Sequence, residues 1–576
     1  MEPKPNPARP QRALRWLLLA AALLFFLKLG ATGLWAPDEP RFAAVSEELR
    51  SMEHGPMGLV VLHLNGEPYS QKPPLYYWVA ALFGMLPGRV TELAARLPSA
   101  LAGIGCIWLT AQFASALTRK PLAGIISGAV LLTVFRFAHF ARRAQLDIIL
   151  SFFVLLAVFA LFRLRDVKPD REPKFHRQPK FYREPWFYAL HIALALAVLT
   201  KGPVGLLPIP AFALYLAWQG DLKSFPGIFP GWSFVISIGP GLIWMALAVA
   251  LAPPGFFDEA VIENLFGRFF SGTAHVRSFF YFFVHFPLEF LPWSLLWPVV
   301  ATWAWRVTAR GPASTERDGS RLLLAWIGLC FAFFSFSAGK RGLYLLPVYP
   351  AVAILCGLAL DDLLSRRTAL PRAVWSVLGA TACAGLGFGS FVFLAGGFAL
   401  SSYPGFRLAA GFGALLAAVA GFAIAATLVV VVRRVSLHTQ LIVPFAGIYL
   451  IEVLVFAVAY PAFDSEKSPE PISRAAAELS EAGSPVGVYD HTALVGGVAY
   501  YSGRRVIEVR DQESLREFLD AGGRNIIVKE TKLDRISQLA EFEVHAHSSS
   551  GSRKLLVISP SAEIARKLGP QRLSPP

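Results

Sequence analysis

The sequence predicts an all-α polytopic membrane protein that carries a small C-terminal α/β domain. Three observations predict it. Hydrophobic residues fill 55% of the 576 positions and charged residues 16%, with a mean hydropathy of +0.50, a balance typical of multi-span helical proteins. The net charge of +15 is gathered in short basic blocks between apolar runs, among them 165–185, 306–321 and 433–438. The positive-inside rule produces that arrangement, so nucleic acid is not an expected partner. From about Pro461 the long apolar runs give way to short segments that alternate between strand-like and helix-like patterns.

The first element is a basic stretch, "MEPKPNPARPQRALR", followed by an apolar run over 16–27. No A-x-A cleavage site follows, which favours an uncleaved first span over 14–35 above a cleaved signal. Further runs of span length lie at 93–117, 121–139, 147–164, 186–201, 203–219, 232–252, 286–305, 321–338, 342–360, 374–399, 406–432 and 440–460, thirteen with the first. The segment 72–86 has only about 13 apolar residues, short for a crossing. Counting it as a span would put the basic blocks 165–185, 306–321 and 361–372 outside; leaving it at the interface keeps them inside. Residues 36–92 are therefore expected to form one external loop with membrane-surface helices. The membrane domain covers 1–460, and 461–576 is delivered to the outer side.

Within that loop Phe42, Val45, Leu49 and Met52 recur at helical spacing, with Glu47, Glu48 and Glu53 toward the other face, an amphipathic helix lying on the bilayer or the protein. In the tail, "SPVGVYD", "RRVIEVR", "RNIIVKE" and "RKLLVISP" read as strands, and "EPISRAAAELSEAG", "DQESLREFLDAGG" and "TKLDRISQLAEF" as helices between them. The tail shows no G-x-G-x-x-G, P-loop or metal cluster. Cys106, Cys330, Cys356 and Cys383 all sit in apolar stretches without metal spacing and read as small core residues.

This topology collects ionisable residues on one face. Asp38, Glu39 and Arg41 follow the first span. Tyr69, Gln71 and Lys72 stand in the external loop, Asp147 at the head of the fourth span, Lys201 at the end of the fifth. His275 lies in a later external loop, and Lys340, Arg341 and Tyr344 in "SAGKRGLYLLP". Each has an ordinary explanation: Asp38, Glu39 and Asp147 as acids at positive helix ends, with Pro40 at a first helical position, the lysines as snorkelling side chains, His275 as an isolated loop histidine. Together, acids and cations from several loops at membrane level have the composition of a site.

The ordered strings "APDEPRFAAVSEELRSM", "LNGEPYSQKPPLYYWVAALFG", "RRAQLDIILSFF", "LTKGPVGLLPI", "LPWSLLWP" and "SFSAGKRGLYLLPVYPA" resemble the aminoarabinose transferases that modify lipid A. They are more distantly similar to the protein O-mannosyltransferases. The resemblance covers roughly residues 14–360. It implies a GT-C fold and a glycosyltransferase that moves a sugar from a polyprenyl-phosphate carrier, such as undecaprenyl phosphate, to a lipid A-like or protein acceptor outside the cytoplasmic membrane. It maps the essential acid to Asp38, a second external acid to Asp147, the K-P-P lysine to Lys72, the arginine after the acid pair to Arg41 and the late-loop tyrosine to Tyr344. Glu39 joins the acids as a catalytic candidate, and Tyr69, Lys201 and Lys340 join the binding set.

In such an enzyme the cations would stabilise charge growing on the departing carrier phosphate. Asp38 would act as base toward a hydroxyl acceptor, with inversion, or as a positioning group toward a phosphate acceptor. One departure stands out: the family glutamate before the K-P-P lysine is Gln71 here, a neutral and poor metal ligand, which weakens the case for a divalent metal held with His275. Two other functions fit a polytopic chain, a flippase or transporter of lipid-linked sugars and a noncatalytic scaffold. A transporter would show repeated halves and midplane ionisable residues, and neither is apparent.

Overall fold

The computed structural model describes residues 8–166, 181–271, 276–365, 437–538, 541–550 and 553–561. The protein is a multi-pass helical membrane protein. Among the described residues six helices are long and apolar enough to cross a membrane: Glu92–Thr118, Leu146–Arg165, Pro185–Leu206, Thr315–Phe336, Gly342–Ser365 and Phe445–Lys467. Two further helix pairs are long and apolar enough only when taken together and are bent at a break, the form of a broken span or a re-entrant loop. The expected spans 374–399 and 406–432 lie outside the described residues, as does Cys383.

The first helix, α1, runs Ala8–Phe26 and α2 runs Asp38–Ser51. In α2, Phe42, Val45 and Leu49 are buried as their spacing predicts, but Met52 is exposed because the helix ends there with a left-handed residue (φ 57°). Pro40 stands at the third helical position, not the first; a proline is tolerated there because the first four helical N–H groups have no intrahelical partner. A short helix, α3 (Leu75–Met85), follows, too short to cross, in keeping with the interfacial reading of 72–86. Helix α4 (Glu92–Thr118) starts where the Thr91 side chain accepts from the Ala94 amide, and its 27 residues reach about 40 Å.

The expected single span 121–139 is broken into α5 (Pro121–Leu132) and α6 (Phe135–Ala141), bent by 73°. The break falls on two β-branched residues, Thr133 and Val134, the second in extended conformation. The span expected at 286–305 is likewise a bent pair, Tyr281–Glu289 and Trp293–Arg310, turned by 108° around Pro292, where the helix has no amide to donate. Helix α7 (Leu146–Asp166) packs on α8 (Pro185–Lys201), which stops where Gly202 takes φ 71°. Helix α9 covers Pro208–Gln219.

In the external loop β1 (His63–Leu64) pairs antiparallel with β2 (Glu67–Pro68). The tail holds a five-stranded sheet in the order β4 (Val506–Val509), β3 (Val486–Tyr489), β5 (Ile526–Lys529), β7 (Arg553–Pro560), β6 (Phe542–Ser550). Strands β3, β4 and β5 are parallel, β7 runs antiparallel to β5, and β6 antiparallel to β7. Alternation puts Val486 and Val488 with Ile472, Leu494 and Val498 on one face, and Tyr489 with Leu515, Phe518 and Leu519 on the other. The four expected strands are present. The segment expected as a helix over "TKLDRISQLAEF" is helical only at Leu533–Ser537, and β6 begins at Phe542. The sheet region and the membrane helices meet at the external loop, where Asn65 donates to the Val506 carbonyl (2.6 Å) and accepts from the Val506 amide (2.8 Å) on edge strand β4.

Candidate active site

The first turn of α2 presents Asp38 between two guanidinium groups. Its Oδ1 accepts from Arg41 one turn along the helix at 2.6 Å, and its Oδ2 accepts from Arg341, 303 residues away, at 2.8 Å. Burial alone would raise the Asp38 carboxyl, but Arg341 and Arg41, with a smaller contribution from Lys72, hold it below its ordinary value. Arg41 also donates to Gln71 Oε1 at 3.2 Å. Its Nε–H is buried without a hydrogen-bond partner, which costs on the order of 1–3 kcal/mol.

A second pair lies at the heads of α7 and α8's far end. Asp147 accepts from Lys201 and, at 3.3 Å, from Gln145 Nε2. The Lys201 ammonium sits 4.7 Å over the Tyr344 ring. The Arg341 charge interacts with Asp147 and Tyr344 as well as with Asp38, which links the two pairs. Tyr69 is buried beside them, its hydroxyl accepting from Tyr77 at 3.3 Å, and both rings act on the Arg41 charge. The structure thus gathers Asp38, Arg41, Lys72, Asp147, Lys201, Tyr69 and Tyr344, as their expected common face requires. A cavity of about 310 Å³ opens beside them, lined by Asp38, Arg136, His139, Arg143, Arg277 and Arg341 among others.

Two expected members sit differently. Glu39 turns away from the cavity into a buried cage. It accepts from Arg96 Nε (3.0 Å) and Nη2 (3.1 Å) and from the amides of Trp35 (2.9 Å) and Ala144 (2.7 Å), and it forms an ion pair with Arg143 at 3.1 Å. Burial works against its charge, yet Arg143 and Arg96 outweigh it and bring the carboxyl down to about 2. Both Glu39 oxygens are thus engaged by these groups, next to Asp38 on the helix. Lys340 lines the cavity wall, but its ammonium donates to the carbonyls of Arg277 (3.1 Å) and Ser337; its neighbour Arg341 is the cation that reaches Asp38.

His275 lies outside the described residues. The residues present around Asp38 do not form a cation-binding set: both its oxygens and Gln71 Oε1 are taken by guanidinium donors. Among the described residues, Glu48, Glu53 and His54, farther along and just past α2, bring ligand atoms within 4.8 Å of one another, away from Asp38. The sequence reading put Lys340 in the binding set, where Arg341 is the cation paired with Asp38, and did not single out Arg96 or Arg143. The available signal for Arg143 was "RRAQLD", two cations placed just ahead of a membrane-level acid.

Residues 14–227 match the family model described as dolichyl-phosphate-mannose-protein mannosyltransferase. Among curated proteins, an "undecaprenyl phosphate-alpha-4-amino-4-deoxy-L-arabinose arabinosyl transferase 1" of Pseudomonas fluorescens (strain Pf-5) is 30% identical over 61% of this chain and 60% of its own length. A transferase of the same kind from Pseudomonas aeruginosa is 28% identical over 60% of this chain and 59% of its own. The chain therefore aligns with about three-fifths of the length of these relatives. Among solved structures, ArnT from Cupriavidus metallidurans bound to undecaprenyl phosphate superposes with a TM-score of 0.75 at 22% identity, covering 97% of this chain and 99% of that one. The archaeal oligosaccharyltransferase AglB from Archaeoglobus fulgidus gives 0.54 at 12% identity, over 91% and 69%. The fold is the GT-C fold that the sequence resemblance implies.

Proposed function

Starting from a polytopic GT-C fold whose residues 14–227 match the mannosyltransferase family model, we propose that this chain is an inverting glycosyltransferase. It transfers a sugar from polyprenyl phosphate to a phosphate group on a lipid acceptor, at the outer face of the cytoplasmic membrane. The observation that carries this reading is Asp38, fixed between Arg41 and Arg341 at the edge of a cation-lined cavity. The undecaprenyl-phosphate donors named for the curated relatives and the bound undecaprenyl phosphate of the Cupriavidus structure support the choice of carrier.

The electrostatics favour one acceptor chemistry over another. A general base works best with a pKa near the operating pH, and Asp38 lies below its ordinary value, poorly suited to deprotonate a hydroxyl. A phosphate monoester needs no base. Its oxygen forms the new bond to the anomeric carbon while the bond from that carbon to the carrier phosphate breaks. The electron pair leaves with the carrier phosphate, and no proton has to move. Asp38 then orients Arg41 and Arg341, and Arg41 with Lys72 neutralises the departing phosphate. An anionic oxygen would supply the partner that Arg41 Nε lacks. Arg136, Arg277 and His139 line the same cavity, and the two guanidinium groups suit an anionic acceptor.

The test is transfer by the purified full chain from a polyprenyl-phosphate sugar, with a phosphorylated lipid and its dephosphorylated form as alternative acceptors. Product from the phosphorylated lipid alone, lost in Asp38→Asn, is the expected result. Equal transfer to both lipids refutes the phosphate acceptor, and full activity of Asp38→Asn refutes the site.

A further inference from the structure

The helix Thr492–Ser502 of the tail lies directly on α2, the helix that carries Asp38 and Arg41, and it does so through two adjacent glycines. A methyl group built on Gly496 would stand 2.8 Å from Arg41 Cα and 2.9 Å from Arg41 Cβ. One on Gly497 would stand 2.7 Å from Pro469 and 3.5 Å from Pro40. Glycine is disfavoured in a helix interior, so a Gly-Gly pair in an 11-residue helix needs a reason; here the reason is backbone contact with the first turn of α2.

The same tail region also grips the chain just ahead of Asp38. The Tyr501 hydroxyl accepts from the Leu34 amide at 2.6 Å. On the short helix leading into the tail, Tyr460–Lys467, the Asp464 carboxylate accepts from the Gly33 amide and from Trp35 Nε1–H, each at 2.9 Å. Tyr500 donates to the Val90 carbonyl at 2.5 Å, at the far end of the external loop. Residues 33–35, Pro40, Arg41 and Val90 are thus all held from one side by the tail and its lead-in helix.

Resting on the transfer-site reading above, we propose that the tail domain is a positioning device for the reaction, in which Gly496, Tyr501 and Asp464 set the placement of the α2 first turn and hence of Arg41 against Asp38. None of the three touches substrate; each acts through α2. The contact at Gly496 is the most informative because Arg41 simultaneously holds Asp38 at 2.6 Å and Gln71 at 3.2 Å. A displacement of about 1 Å at a catalytic group is enough to cost up to about 100-fold in rate.

The experiment uses the full chain in detergent or nanodiscs. Gly496→Ala keeps a good helix former in the tail but forces Arg41 to move; Tyr501→Phe removes one hydrogen bond and no packing. Thermal unfolding, kcat/KM with its pH profile, and the Kd for undecaprenyl phosphate alone are measured for each. Gly496→Ala is expected to lower kcat/KM about tenfold or more and to weaken undecaprenyl phosphate binding several-fold, with an unfolding temperature near that of the parent. The acidic limb of the pH profile should rise, because Asp38 loses part of the Arg41 charge. Tyr501→Phe should move the same readouts in the same direction by less. Parent-like kcat/KM, Kd and acidic limb in Gly496→Ala would overturn the proposal, as would losses that merely track the folded fraction. Parent turnover in Asp38→Asn would instead sink the transfer-site reading, and the Gly496→Ala effect on undecaprenyl phosphate binding would still decide this one.

Discussion

Replacing Glu39 by glutamine leaves the buried Arg96 guanidinium and the part-buried Arg143 guanidinium without their counter-charge. Two routes give the size of the effect. Breaking a buried ion pair by removing one partner costs about 3–5 kcal/mol. Independently, a fully buried carboxyl moved from 4.5 to about 2 has its ionised form favoured in the fold by about 3 kcal/mol. The folded value lies below the unfolded one, so this stabilisation is complete above about pH 4.5 and is lost as pH falls toward 2. The assay is chemical or thermal unfolding of the detergent-solubilised protein across pH 2.5 to 7, parent against Glu39→Gln. The variant should be less stable by about 3 kcal/mol at pH 7, and the gap should narrow on acidification. Its transfer activity per folded molecule should keep the parent's pH profile. Stability within about 1 kcal/mol of the parent at pH 7 would show that the cage is not held by this charge, and an altered pH–rate profile with intact stability would return Glu39 to the chemistry.

Arg341→Ala should reduce kcat/KM about 100-fold or more, whereas Lys340→Met should cost about tenfold or less, its ammonium being spent on the Arg277 and Ser337 carbonyls; steady-state kinetics on both variants ranks them. In Arg341→Ala the loss of kcat/KM on the acid side should set in at higher pH than in the parent, because the cation that lowers Asp38 is gone. Dialysis against a strong chelator should leave turnover unchanged, since guanidinium donors occupy Asp38 and Gln71; loss of turnover restored by zinc would contradict that donor assignment.

Much of this was legible in the residues. Long apolar runs and basic blocks marked the polytopic architecture, and the alternation of short strand-like with helix-like segments marked β3, β4, β5 and β7. Strand β6 was missed because "FEVHAHSSS" is an exposed edge strand whose polar residues leave little apolar alternation to read. The broken crossings at Thr133 and Pro292 were missed because hydropathy records composition and not helix continuity. At the site, clustering in the external loops together with the family resemblance picked out Asp38, Arg41, Lys72 and Asp147. It had no means of telling Lys340 from Arg341, since adjacent residues on an extended segment point opposite ways. Glu39 looked like Asp38's equal in "DEPR" for a related reason: neighbours on a helix turn through about 100°, so one faces the cavity and the other the interior.

The partners that define the site are drawn from the whole length of the chain. Asp38 waits for Arg341, 303 positions later, and Gly33 for Asp464, 431 positions later. A chain still under synthesis can insert α1 and fold α2, but Asp38 has Arg41 and the weaker Lys72 to pair with and lacks its second guanidinium until residue 341 has emerged. The long closures come last and are slow. Chains that end before residue 341 would therefore sit in the membrane with Asp38 lacking its second guanidinium, and chains cut before the tail would keep that pair while Gly33 and Trp35 lose the Asp464 carboxylate.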